Sequence, residues 1–322
     1  MTGTLIGFIA TLLTPLWAWL AIAHTALQTP QDQVPEWPTP AGERTEELTH
    51  PDAEVDAFLG ELESADEGLE DARASILYIR QDMALESVVT RLGDLVFVAP
   101  ARDDAAAGVF AVSFDTLIDD LGRRSERVKR WVFDGRWLVE QDFSSKSYVR
   151  REIARAGDGA DPMRLGEGPL PIPIGQEKRA ILERYEVSMP AVAEGLERAE
   201  GEAMGEDIGG DFLGAVENRA VQVKLVPRVL DGEGFDEVRL WYRRAEEDGE
   251  VRAGGRLLPM LAKATTMDGR GRPADVAWVF LSDVSVNVGV DRDEVVAPPP
   301  EGEGWSVETR LLPRRPGEGG GR

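Results

Sequence analysis

Hydrophobic and polar positions fall into two kinds of stretch along this chain, one with a helical period and one that alternates. Val55, Phe58, Leu59, Leu62, Ala65 and Leu69 recur at steps of three and four, which predicts an amphipathic helix. Asp52, Glu54 and Asp56 crowd its first turn, where the helix dipole favours negative charge. Glu61, Glu63 and Glu70 make the opposite face acidic. After Asp71 the period shortens towards two. Strands are predicted over Ala74–Ile79, Asp94–Ala99, Val109–Phe114, Val128–Phe133, Trp137–Gln141 and Tyr148–Ile153. Between Phe133 and Trp137, Asp134-Gly135 supplies the positive φ values of a tight turn, so the flanking strands form a hairpin. Strands joined by short turns pair antiparallel.

Ala156–Pro173 is a Gly- and Pro-rich connection. Gln176–Tyr185 predicts a short helix with Ala180, Ile181, Leu182 and Tyr185 on its apolar side. Met189–Met204 reads as a second amphipathic helix, interrupted by Gly195 and Gly201, and Gly205–Gly210 as flexible chain. Strands resume over Ala220–Val226, Val238–Tyr242, Arg256–Thr266 and Ala274–Leu281, with turns at Asp248-Gly249 and Asp268-Gly269. Trp305–Leu311 adds an edge strand, and the Gly- and Arg-rich tail from Pro313 reads as disordered. Helix, strands, helical interruption and strands again make an α+β chain dominated by one antiparallel sheet.

From Leu5 to Ala23 no residue is charged, and Ala21-Ile22-Ala23 fits a small-x-small cleavage site. That pattern reads as a secretory signal peptide. No Lys or Arg precedes the apolar run, however, and the run is long enough to cross a bilayer, so an uncleaved N-terminal anchor fits as well. Either reading exports the rest of the chain. Pro30, Pro35, Pro38, Pro40 and Pro51 then mark an extended linker. The expected organisation is leader or anchor at 1–23, linker at 24–51, folded domain at 52–312 and tail at 313–322.

Composition narrows the chemistry. A formal net charge of −23 repels phosphates and argues against nucleic acid as a partner. With no cysteine there is no disulfide, no thiolate chemistry, no zinc–thiolate or iron–sulfur site, and no acylated cysteine of a lipoprotein. His24 stands where the leader meets the linker and His50 before a proline in the linker, so histidine chemistry in the folded body is not expected. There is no Gly-x-Ser-x-Gly elbow and no phosphate-binding loop. Gly166 and Gly168 precede prolines rather than a helix. The acid runs Asp291–Glu294 and Asp231–Asp236 lack the EF-hand pattern and read as solvated turns. No catalytic residue, metal or cofactor is expected, and the chain reads as a non-enzyme.

Aromatic residues gather on the predicted strands: Phe97, Phe110, Phe114, Trp131, Phe133, Trp137, Phe143, Trp241, Trp278 and Phe280. They suit a packed core as well as the wall of an apolar pocket, and periodicity does not separate the two. Arg123, Arg124, Arg127, Lys129, Arg130, Arg150 and Arg151 form a basic cluster. It suits lipid head groups or an acidic partner, and equally a hairpin edge guarded by charge.

Several segments, taken in order, resemble the LolA-like superfamily of outer-membrane lipoprotein carriers. These are the exported leader, the amphipathic helix before the first strand, Gly93-Asp94-Leu95-Val96-Phe97, Val109–Phe114, the Trp131–Val139 hairpin, Leu257-Leu258-Pro259, and Trp278–Val286 followed by Asn287. The resemblance spans Val55 to Leu311. It implies an unclosed half-barrel, a single curved antiparallel sheet covered by lid helices at Val55–Leu69 and Gln176–Tyr185. It implies a periplasmic carrier that holds lipid or lipoprotein acyl chains in an apolar cleft, with inner- and outer-membrane lipoprotein-sorting components as partners. The cleft would be lined by Phe58, Leu62, Phe97, Phe110, Phe114, Trp131, Phe133, Leu182, Trp241, Trp278 and Phe280. An anchored envelope sensor built on the same half-barrel is the alternative. Arg91 and Arg102 both lie where the family places its lid-locking arginine. The chain departs from a minimal carrier in its length, its Pro-rich linker and its acidic insertion at Glu194–Asp211.

Overall fold

A computed structural model of the protein describes residues 49–65, 67–100, 108–153, 178–196, 216, 219–229, 234–244, 246–247, 250–251 and 256–312. Helix α1 (Ala53–Ala65) precedes β1 (Asp71–Asp82), β2 (Ser87–Val98), β3 (Val109–Ile118), β4 (Arg124–Phe133), β5 (Trp137–Asp142) and β6 (Ser147–Glu152). A short helix α2 (Lys178–Arg184) runs directly into β7 (Tyr185–Ser188), followed by β8 (Ala220–Pro227) and β9 (Glu237–Arg244). A small ribbon of β10 (Glu246–Glu247) and β11 (Glu250–Val251) comes next, then β12 (Leu257–Met267), β13 (Pro273–Val286) and β14 (Ser306–Arg310).

Twelve strands form one sheet in the order β14-β6-β5-β4-β3-β2-β1-β13-β12-β9-β8-β7. Neighbours pair antiparallel throughout, except that β14 lies parallel to β6. The sheet does not close, and β14 and β7 are its two edges.

Its curl can be read from side chains. In a flat sheet β1 and β4 would stand about 14 Å apart, three strand spacings. Yet the rings of Tyr78 on β1 and Trp131 on β4 meet at 5.8 Å, and Tyr78 also reaches Phe114 on β3 at 6.0 Å. One bend has a visible cause. The β2–β3 register slips between Phe114 and Thr116, so Asp115 is an extra residue against β2, and at the same place Arg127 and Val128 of β4 stand against it as two residues to one. Such a bulge bends its strand and increases the local twist. Gly93 sits opposite Phe114 at the slip, and a Cβ there would lie 2.0 Å from the Ser113 carbonyl oxygen. Only glycine lets the two backbones come so close.

Alternation along the strands divides the buried residues between two faces. The concave face carries one continuous cluster, from Leu138 on β5 through Ile76, Val279 and Leu240 to Val187 on β7, with α1 and α2 packed on it. The convex face carries two separate clusters. One, around Trp241, Trp278 and Phe280, is covered by the segment after β7 through Val192 and Leu196. The other, around Val132, Val139 and Tyr148, is covered by the segment after β13 through Val290, Val295 and Trp305.

Most predicted elements are present with longer strands. The second helix expected at Met189–Met204 is not: residues 189–196 form irregular chain with a turn, and 197–204 lie outside the described residues. Pro190 supplies no amide hydrogen, and Gly195 has φ +79°. The carbonyls a helix would have used accept bonds from the sheet instead, Gln222 to Ala191, Val192 and Glu194, and Trp241 to Val192. The leader, most of the linker, the 156–173 connection and the 313–322 tail also lie outside the described residues. Among the described residues no helix is long and apolar enough to cross a membrane.

Candidate functional site

The concave face is the candidate site, and α1 occupies it. Val55, Phe58, Leu59 and Leu62 are the buried stripe that the helical spacing predicts. Phe58 meets Tyr242 of β9 edge-on at 5.9 Å. From α2, Ile181 and Leu182 join the same cluster. Below them Tyr78, Phe114 and Trp131 form a triad of rings, with Phe114 and Trp131 in a T-shaped contact at 5.4 Å, and Phe110 packs on Phe133 at 6.0 Å.

Of the eleven predicted lining residues, eight come together here: Phe58, Leu62, Phe97, Phe110, Phe114, Trp131, Phe133 and Leu182. Trp241, Trp278 and Phe280 do not join them. They point to the convex face, where Trp278 stacks on Phe280 at 6.1 Å and Lys263 lies over Trp278 at 4.6 Å. Their neighbours Leu240, Tyr242, Val279 and Leu281 face the cleft instead, as a two-residue period requires. Both faces of these central strands are apolar, so aromatic content alone carries no sign of which face a residue takes.

In this state the cleft is filled. Every member of the concave cluster is buried, and Leu59, Phe133, Val279 and Leu240 are fully so. A partly open pocket lies at the C-terminal end of α1. It is bounded by Leu62, Ala65, Leu69, Tyr242, Leu257 and Val284, with Arg256 at its side. The side chains of α1 thus fill part of the concave face.

Polar contacts hold α1 at its two ends and along one flank. On the flank, Arg244 Nε and Nη2 donate to Glu61 Oε1 and Oε2, both at 2.8 Å. The paired carboxylate raises the guanidinium pKa of Arg244. At the N-terminal end the His50 amide donates to Asp56 Oδ1 at 2.7 Å, and Lys178 of α2 pairs with the same oxygen at 2.9 Å. The His50 amide first and Lys178 second hold the Asp56 carboxyl below its ordinary value. Past the C-terminal end, Asn287 clamps the loop that joins α1 to β1. Its Nδ2 donates to the Gly68 carbonyl at 2.9 Å and its Oδ1 accepts from the Glu70 amide at 2.8 Å. Asn287 holds φ 55°, a conformation asparagine tolerates better than most residues. Buried Asp71 completes the clamp by accepting from the Val288 and Gly289 amides. Arg256 donates to the Glu67 carbonyl at 2.8 Å.

The cations that tie α1 down are therefore Arg244, Lys178 and Arg256. Arg102 lies outside the described residues. Arg91 stands opposite Tyr78 and Leu117 on the concave face, and among the described residues it makes no bond to α1. Partial burial lowers its pKa, and burial pushes the Tyr78 hydroxyl up to about 12. Three members of the basic cluster are matched by acids: Arg123 with Asp119, and Lys129 and Arg151 with Glu140. Arg150 lies over the Trp137 ring at 4.1 Å. The acid run Asp291–Glu294 is a single 3₁₀ turn with a capping box, and Glu294 pairs with Arg73 at 2.6 Å.

Fold and site together define an unclosed antiparallel half-barrel whose concave face is plugged by an amphipathic helix. No protein-family model matches the chain. No curated protein matches it either. Among solved structures it is similar to an uncharacterized conserved protein from Thermus thermophilus, at 10% identity over 79% of this chain and 99% of that one, with a TM-score of 0.37. It is similar to a LolA superfamily protein from Nitrosomonas europaea, at 12% identity over 76% and 97% of the two chains, with a TM-score of 0.30. A putative outer membrane lipoprotein-sorting protein domain from Vibrio parahaemolyticus matches at 13% identity over 74% and 94%, with a TM-score of 0.29. Likeness at this level says nothing of ligand or partner.

Proposed function

We propose that the protein is an exported carrier that holds the acyl chains of a lipid or lipoprotein in its concave cleft, with α1 as a displaceable lid. The observation that carries this reading is the pairing of an apolar concave wall with a helix that covers it through four buried side chains and a few localised tethers. Moving α1 aside uncovers the apolar wall it meets, at Tyr242, Leu257 and Val284, within one cluster that runs on to Phe97, Phe110, Phe114, Trp131 and Phe133. An acyl chain leaving water for such a surface gains about 0.8 kcal/mol per methylene. No covalent step is needed. The order of motifs that resembles the LolA-like carriers agrees with this use of the fold, and the long uncharged N-terminal stretch agrees with export.

The test is direct. The protein is purified from the envelope of its host, extracted, and the extract analysed by mass spectrometry for lipid. The extracted protein is then titrated with a fluorescent fatty acid. Co-purifying lipid and saturable probe binding are expected. A protein that carries no lipid and binds no probe has a packed core rather than a cleft, and the proposal fails.

A further inference from the structure

The β14 edge has a property that the cleft does not use. All five residues of β14 are exposed, and Val307 and Leu311 are 57% and 69% exposed although apolar. The strand's inner edge is fixed by β6. Ser306 is opposite Ser147, and the Ser306 amide donates to the Lys146 carbonyl at 2.8 Å. In a parallel pair the residue that donates to one neighbour also accepts from the next, so Ser306, Glu308 and Arg310 direct their backbone groups to β6. Val307, Thr309 and Leu311 direct theirs outward, away from the sheet. Among the described residues this row has no partner strand, and such a row is a template for another strand.

The side chains say which strand fits. Read outward from Thr309 in either direction, the sequence runs Thr, charge, apolar: Arg310 and Leu311 one way, Glu308 and Val307 the other. We propose that β14 pairs antiparallel with β14 of a second copy, about a two-fold axis at Thr309. Thr309 then faces Thr309, Glu308 faces Arg310, and Val307 faces Leu311. The residues placed directly opposite are the ones whose backbone groups point outward, so each pair exchanges both of its hydrogen bonds. Glu308 and Arg310 now pair with each other within one strand at 2.7 Å on one face of the sheet. In the dimer each gains the partner's opposite charge on that face. On the other face the two exposed apolar pairs cover one another beside Thr309. A one-residue slip would set Glu308 against Thr309 and apolar against charge, so one register is favoured. The interface is self-complementary, as a two-fold dimer requires. With five residues a side it is small, and the association is weak and transient.

The test is sedimentation velocity on the full chain over a concentration series into the high-micromolar range, in a mild detergent that keeps the Leu5–Ala23 stretch dispersed. A monomer–dimer equilibrium is expected. Thr309→Pro removes an outward amide and leaves the β6 ladder intact, because proline is tolerated where the N–H faces solvent. It should weaken the dimer about tenfold or more. Glu308→Arg sets like charges opposite each other and should do the same. The exchange Glu308→Arg with Arg310→Glu restores complementarity and should restore the dimer. A chain that stays monomeric, a dimer indifferent to Thr309→Pro, or an exchange variant as weak as Glu308→Arg each overturns the proposal. None of these results bears on the cleft, whose ligand is assayed separately.

Discussion

If α1 is a lid, loosening it should cost stability and raise ligand affinity together. The Glu61–Arg244 tether is the place to test this, because it joins α1 to β9 and touches no residue of the cleft wall. The pair is bidentate, with both bonds at 2.8 Å, and its side chains are 31% and 26% exposed. Exposed pairs contribute up to about 1 kcal/mol, and charge-assisted forked geometry puts this one at the upper end. Glu61→Gln and Arg244→Met should each lower unfolding stability by about 1 kcal/mol, seen as a shift of roughly 2 °C in Tm. The double variant should be no worse than the singles, since one interaction is lost in each case. The same loss should raise the open fraction roughly fivefold, because apparent affinity scales with the population able to bind. A fluorescent fatty acid should therefore bind roughly fivefold tighter to the variants. Stability that falls while probe affinity stays level or weakens would show that α1 is part of a fixed core, and the lid argument would be wrong.

Two further substitutions probe the frame around the lid. Gly93→Ala places a Cβ against the Ser113 carbonyl, where backbone rather than a side-chain end must yield, so a loss of more than about 3 kcal/mol is expected in urea unfolding. Asn287→Ala removes both bonds to the α1–β1 loop and leaves a non-glycine residue at positive φ, about 2 kcal/mol in all. Asn287→Gly removes the bonds but not the conformational ease, and should cost about half as much; hydrogen exchange should speed up over residues 67–71 in both, and equal stability of Gly and wild type would dismiss the clamp.

The elements were legible in the sequence where one periodicity governed a whole segment. The stripe Val55–Leu62 and the hairpin around Asp134-Gly135 are of that kind. The first half of β2 was not legible, because Val88 and Leu92 face the convex cluster while Arg91 faces the cleft, and a polar concave position hides the alternation. Residues 189–196 read as a helix because Val192 and Leu196 are four apart; what decided otherwise was Gln222 and Trp241, about thirty and fifty positions away. The lining was legible in kind but not in side. Trp278 and Phe280 alternate with Val279 and Leu281, and all four are buried, so only packing tells which pair faces α1. The tethers carried no local signal at all. Glu61 and Arg244 are one acid and one base among many, 183 positions apart. Asn287 stands out in the sequence only through the family resemblance, and its two bonds to the α1–β1 loop give its side chain a physical role.

The two faces of the sheet are closed by different means, and the difference says which cover can move. On the convex face the segment after β7 is stitched down by bonds from buried or partly buried groups. Gln222 and Trp241 donate to its carbonyls, Arg239 reaches Glu194 and Gln222, and Lys263 donates to the Gly195 carbonyl at 3.1 Å. Lifting that segment would take from Gln222 its carbonyl acceptors and from Arg239 its bonds to Glu194, leaving Arg239 only Glu237 and Gln222, and an unmet buried donor costs roughly 1–3 kcal/mol. The segment after β13 is held through buried Tyr148, which donates to the Ala297 carbonyl, and through an exposed pair of Arg73 with Glu294. On the concave face α1 is held by fewer such bonds: the Glu61–Arg244 pair is partly exposed, and one buried cation, Lys178, meets Asp56. Lifting α1 therefore breaks two ion pairs and otherwise exposes apolar surface. The cost of that exposure is non-directional and proportional to area, so an acyl chain laid along the same wall can offset it without matching any particular geometry. A cover held by buried polar bonds could be replaced only by a ligand that reproduced them, so the proposed lipid would displace the concave cover rather than the convex one.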